Sequence, residues 1–172
     1  MTLLAVTVIG HDRPGIIAET TGILAQLGGN LEDSTMSILR GHFAMVLLVS
    51  CDVTADAVDE ALQPMTDDGQ LVVSVREVPV EADAAPSGSA HLLSVHGADR
   101  AGIVSTVAGV VAGAGGNITD LSTRLSGELY VLLAEVDLPS GADVGALTRD
   151  LEAVAEPLGV EVALRPLDTD VL

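Results

Sequence analysis

The residues whose types and spacing could do chemistry are concentrated in one stretch, Gly10-His11-Asp12-Arg13-Pro14-Gly15-Ile16. An imidazole, a carboxylate and a guanidinium stand side by side between two glycines. An apolar run of strand length precedes them and an amphipathic run follows, so the stretch reads as a strand-to-helix turn. Such a turn aims unpaired backbone N–H groups and the positive end of a helix dipole at one point. What that point suits is the carboxylate of a small ligand. The alternative is a tight turn in which Asp12 caps the helix and nothing binds.

Other chemistry finds little support. The serines lack a nucleophile-elbow context, there is no Gly-rich phosphate loop, and the chain contains no Lys. We therefore expect no catalytic residues and no cofactor. The histidines are His11, His42, His91 and His96. His91 and His96 are five residues apart on a predicted strand, hence on opposite faces, which is wrong for chelation, and no metal site is expected. Cys51, the single cysteine, ends an apolar run and reads as a buried thiol with no disulfide partner.

The stretch occurs twice. Gly10, Asp12, Arg13, Gly15 and Gly22 recur 87 positions later as Gly97, Asp99, Arg100, Gly102 and Gly109. The same shift carries Gly28-Gly29-Asn30 onto Gly115-Gly116-Asn117 and Asp33 onto Asp120. Aligning Gly41 with Gly127 then makes the offset drop by one. The chain is two copies of one unit. The copies differ at the turn, where Ala98 replaces His11 and Ala101 replaces Pro14, so the first copy is the better candidate seat.

The elements that must position these residues follow from periodicity. Residues 3–9 are a strand, and residues 14–27 a helix with Ile16, Thr20, Ile23, Leu24 and Leu27 inward. Pro14 suits the first helical position, Asp12 or Arg13 the cap, and Gly28 the residue after the helix. Strands are expected at 30–40 and 43–49, a helix capped by Thr54 through residue 65, and a strand at 71–80. Right-handed crossovers fold this order into a four-stranded antiparallel sheet with both helices on one face. The second unit repeats it with strands at 91–96, 117–125, 128–138 and 160–167, and helices at 101–114 and 142–158. The predicted class is α+β, two ferredoxin-like βαββαβ domains over residues 1–80 and 90–172, joined by a Pro- and Gly-broken linker at 81–89.

The central strands lack the polar alternation of a half-exposed sheet: Phe43, Met45 and Leu47 point one way, Ala44, Val46 and Leu48 the other. The same holds for Leu129, Val131 and Leu133 against Tyr130, Leu132 and Ala134. We expect something to cover the second face, through tight packing of the units or association as a homodimer.

Composition narrows the partners. With 25 acidic residues against 7 basic ones and a net charge of −18, the surface repels phosphate backbones and anionic membranes. One Phe, one Tyr and no Trp leave little for base stacking. No apolar stretch approaches the ~20 residues of a membrane span, and no signal peptide is visible, so a cytoplasmic protein is expected.

Gly10-His11-Asp12-Arg13-Pro14-Gly15-Ile16-Ile17, followed by Gly29-Asn30-Leu31, resembles the signature of ACT domains, small ferredoxin-like modules that bind amino acids and regulate enzymes or transcription. Two such units in one chain resemble the glycine cleavage system transcriptional repressor family. The resemblance implies an effector held by the turn and the start of the second strand of paired domains. Carried over, the ligand-binding residues are His11, Asp12, Arg13, Pro14, Gly15 and Ile16 with Asn30 and Leu31, then Asp99, Gly102 and Ile103 with Asn117 and Ile118. The expected function is a non-enzymatic, amino-acid-responsive regulator acting through a protein partner. Its small amino acid would seat a carboxylate on the N–H groups of Gly15 and Ile16, with Asn30 and Asp12 or His11 at the ammonium. Bound across an interface, it would favour one arrangement of the units. The rivals are an interaction module without a ligand and an enzyme fragment, since formyltetrahydrofolate deformylases open with a similar unit.

Overall fold

The computed structural model describes residues 1–80 and 88–167. The chain divides into two compact units, Met1–Ala82 and Asp83–Leu172. In the first unit β1 (Thr2–His11) leads into α1 (Ile16–Gln26), β2 (Asn30–Leu39), β3 (His42–Cys51), α2 (Ala55–Leu62) and β4 (Leu71–Val78). In the second, β5 (Gly88–Ala98) leads into α3 (Ile103–Gly113), β6 (Asn117–Ser126), β7 (Leu129–Pro139), α4 (Val144–Leu158) and β8 (Val160–Pro166). The strand orders are β2-β3-β1-β4 and β6-β7-β5-β8, every neighbouring pair antiparallel. These are two ferredoxin-like α+β units, as the element order predicts.

Each core lies between the sheet and its two helices. In the first unit Leu4, Val6 and Val8 of β1 and Phe43, Met45, Leu47 and Val49 of β3 meet Ile16 and Leu24 of α1 and Val58 and Leu62 of α2. Thr20, the buried polar member of the α1 face, donates its hydroxyl to the Ile16 carbonyl at 2.8 Å, so its burial leaves no orphan. Burying one such leucine contributes about 2 kcal/mol. The helix ends follow the residues that favour them. Gly28, at φ 74°, follows the last turn of α1, and the N–H groups of Gly28 and Gly29 bond back to Ala25 and Leu24. The Thr54 hydroxyl accepts from the Ala57 N–H at 3.3 Å, and Pro64 falls in the 3-10 turn Gln63–Thr66 that closes α2.

Several expectations are corrected. The repeat offset does not drop at the hairpin. Gly10 pairs with Phe43 and Gly97 with Tyr130, so the 87-residue shift persists through β3 and β7. Gly127 therefore stands where Arg40 does, in the first position of a two-residue turn, and Glu128 takes the place of Gly41. A shared glycine misled the alignment: the first turn has positive φ at both Arg40 and Gly41, the second at Gly127 and not at Glu128, so the glycine stands at a different central position in each. The strand expected at 91–96 begins at Gly88, since Gly88 and Ser89 pair with Pro139 and Leu138. Of the expected linker, residues 81–87 lie outside the described residues, as does the tail 168–172.

Candidate functional site

The repeated turn is built by two backbone constraints. A Cβ at Gly10 would lie 2.0 Å from the Gln70 carbonyl oxygen, so only glycine lets the start of β4 approach β1 there. The next residue, His11, is the last of β1, and its N–H donates to Gln70 at 3.0 Å. The Asp12 N–H donates to the Gly41 carbonyl at 3.1 Å, tying the turn to the β2–β3 hairpin. Gly15 then adopts φ 95° as the N-cap of α1.

That cap overturns two expectations. Neither Asp12 nor Arg13 caps the helix, and Pro14 precedes it rather than opening it. A left-handed Gly15 turns the chain into the helix and has no side chain to offer, so no side-chain cap forms. The first helical bond runs from the Glu19 N–H to the Gly15 carbonyl at 2.9 Å. The N–H groups of Ile16, Ile17 and Ala18 precede it and have no partner within the helix. The Ile16 side chain is buried in the core, so Ile16 can reach a ligand only through its backbone. Arg13 pairs with Glu19 at 2.9 Å, and the Asp33 Oδ1 accepts from the Ser34 N–H at 2.7 Å.

Beside the turn lies a cleft of about 470 Å³ lined by Asp12 to Ala18 together with Met36, Ile38 and Phe43. Sequence reasoning missed the last three. The hairpin register pairs Ile38 with Phe43 and Phe43 with Gly10, which delivers the end of β2 to the turn. The tight turn at Arg40-Gly41, counted back two and four residues, was the available signal.

The register also separates residues that the sequence groups together. Asn30 pairs with Ser50, and Ser50 with Leu3, seven residues before Gly10. At about 3.3 Å per residue, Asn30 and Leu31 lie roughly 23 Å along the sheet from their own turn. Asn117 pairs with Asp137, and Asp137 with Ala90, which puts Asn117 and Ile118 equally far from Gly97. The cause is the crossover. It makes β1 and β2 parallel, so their starts share one end of the sheet while the turn leaves from the other.

The second turn has the same backbone and different surroundings. Gly102 caps α3 at φ 93° without a side-chain bond, and Ile103 is buried like Ile16. The Ser105 hydroxyl donates to the Gly102 carbonyl at 3.0 Å. The cleft there is about 260 Å³, with Asp99, Arg100 and Tyr130 in its wall. A larger concavity of about 590 Å³ lies between α3 and α4, and no residue of the repeated turn lines it. His91 is buried on the helix side with Nδ1 3.1 Å from the Ser89 carbonyl, and His96 faces the other way. Among the described residues no three His, Cys, Asp or Glu side chains converge as a metal site, and no helix is long and apolar enough to cross a membrane.

Residues 2–75 and 90–165 each match the ACT domain. The chain belongs to the ACT-domain family. Its two ACT domains stand in tandem, and the family is one of small regulatory modules. A UPF0237 protein of Methanopyrus kandleri is 47% identical over 66 residues, which is 37% of this chain and 73% of that protein. The crystal structure of an unknown protein from Galdieria sulphuraria superposes with a TM-score of 0.80 at 29% identity, covering 96% of this chain and 98% of that one. A crystal structure of a proposed glycine cleavage system transcriptional repressor superposes with a TM-score of 0.71 at 20% identity, covering 96% and 97%. At that identity the likeness is one of fold.

Proposed function

We propose that the chain is a non-enzymatic, cytoplasmic regulator whose first ACT domain seats a small amino acid at the β1–α1 turn. The observation that carries this reading is the uncapped start of α1, opening beside a cleft walled by Met36, Ile38 and Phe43. The N–H groups of Ile16 and Ile17 would donate to a carboxylate, favoured by the positive end of the helix dipole. The Asp12 carboxylate is the nearby group for an ammonium, while His11 does not line the cleft. The apolar wall supports an aliphatic side chain over a charged one. In this reading Gly102 and Ile103 with Asp99 form a second, smaller seat. Asn30, Leu31, Asn117 and Ile118 stay outside the seat of their own domain. Regulation requires that the ligand bind two states of the protein unequally, and the acidic surface directs the output to a protein partner rather than to nucleic acid.

Titration calorimetry of the full chain against the twenty amino acids tests this. We expect heat from a small aliphatic amino acid, and at least a tenfold weaker Kd in Gly15→Ala, whose Cβ strains the positive φ that aims the N–H groups. Silence from all twenty would sink the reading and favour the rival, an interaction module without a ligand. The apolar residues exposed on the open sheet face support that rival.

A further inference from the structure

We propose that His11 and His42 form a chelating pair for a divalent transition-metal cation of the Zn²⁺ kind, on the sheet face of the first unit opposite its helices. The two residues stand directly across from one another at the end of the β1–β3 ladder. The expectation of no metal site rested on His91 and His96, which one strand sends to opposite faces. The ladder brings together two other histidines that lie far apart in the chain. Side chains alternate between faces along a strand, and Val8 of β1 and Phe43 of β3 are buried in the core. His11 and His42 therefore share the other face, and both are exposed.

The backbone makes this the close kind of cross-strand pair. The His11 N–H donates away from β3, to the Gln70 carbonyl at 3.0 Å, while the next N–H, that of Asp12, donates to the Gly41 carbonyl at 3.1 Å. His11 and His42 thus exchange no backbone bond with each other. In such a pair the Cα atoms lie about 4.5 Å apart and the side chains approach most closely. Their Cβ atoms are then about 5 Å apart. A tetrahedral cation with Zn–N distances of about 2.0–2.1 Å needs two ring nitrogens roughly 3.3 Å apart, within reach of imidazoles that converge from that base.

Three observations single the pair out. His91 engages the Ser89 carbonyl and His96 the Glu161 carboxylate, but neither the His11 nor the His42 ring has a partner among the described residues. The second unit has Ala98 opposite Leu129 at the same place in its ladder, so the pair belongs to the first unit alone. His11 is also a residue of the repeated turn that the cleft does not use. The donors set the ligand class. Neutral imidazole suits Zn²⁺, Cu²⁺ and Ni²⁺, whereas Mg²⁺ and Ca²⁺ call for oxygen ligands. A net charge of −18 draws cations to the surface. Two protein ligands leave the other positions to water, so the cation exchanges readily instead of closing a structural site. When bound, it ties the last residue of β1 to the first of β3, one residue before Asp12.

Titration calorimetry of the full chain with zinc chloride, in a buffer that does not bind metal, tests this. We expect one site with a Kd on the order of 10 µM. His11→Ala or His42→Ala should weaken it at least about tenfold, because either change removes the second, intramolecular ligand. The double variant should then bind no more than about threefold more weakly than a single one. Both side chains are exposed, so circular dichroism should show the variants folded. In NMR spectra the His11 and His42 ring signals should move together with zinc, ahead of those of His91 and His96. Absence of binding below about 1 mM overturns the proposal. An affinity unchanged by both substitutions also overturns it and assigns the cation to acidic side chains. Movement of the His96 ring ahead of the pair, or Mg²⁺ held as tightly as Zn²⁺, overturns it as well.

Discussion

The two ACT domains of this chain share their backbone and differ in what they put on it. Gly10 and Gly97 both sit where a strand crowds the last residues of the turn, and Gly15 and Gly102 both cap a helix at φ near 95°. The register shift in β2 between Leu31 and Asp33 returns in β6 between Ile118 and Asp120. The side chains around these fixed points diverge. Arg13 reaches Glu19 in the first domain, whereas in the second Ser105 bonds the capping glycine and the cleft is about half as large. The open sheet faces part company as well. The first carries Ile9, Val46 and Val72, while the second places Arg124, His96 and Glu161 in one row and Asp120, Glu135 and Arg165 in another. Its His96 and Glu161 approach to 3.2 Å. The difference teaches that this fold needs few fixed positions, mostly backbone ones, and leaves seat and surface free to change.

Five substitutions test how far the domains are equivalent. The largest effect is expected at Gly10, where a Cβ would press on the Gln70 carbonyl with no flexible atom to give way. Gly10→Ala should cost about 3 kcal/mol or more in the first domain. Gly97→Ala, facing the Gly159 oxygen at 2.9 Å, should cost less in the second. Hydrogen exchange, which reads each domain separately, would show the asymmetry, and equal losses would break it.

A smaller effect divides the hairpins. Arg40 holds φ 51° at the position where the second domain has Gly127 at φ 63°. Arg40→Gly should stabilise the first domain by about 0.5–1 kcal/mol and Gly127→Arg should destabilise the second by a similar amount. Opposite signs in chemical denaturation would sharpen the structural alignment at offset 87, and equal signs would argue against it. The smallest effect belongs to Arg13→Ala. It removes an ion pair whose side chains are 36% and 40% exposed, so the thermal midpoint should fall by no more than about 0.5 kcal/mol implies, and high salt should erase the difference.

The sequence by itself determined the duplication, the element order and the ferredoxin-like sheet. These rest on local facts: apolar runs of strand length, Ile16, Thr20 and Leu24 at helical spacing, Thr54 where a cap belongs, Gly28 where a helix ends. It also located the turn, because Gly15 there answers to backbone geometry within a few residues. Only the tertiary structure decided what meets that turn. Asn30 follows α1 closely in sequence, yet the parallel arrangement of β1 and β2 leaves it at the far end of the sheet. Met36, Ile38 and Phe43 line the seat because of a strand register set across the β2–β3 hairpin. The tertiary structure likewise gave Gly10 its reason, the carbonyl of Gln70, sixty residues on. Local spacing fixes which residues share a face of one element, but which elements' ends coincide depends on long-range pairing that no short window of sequence contains.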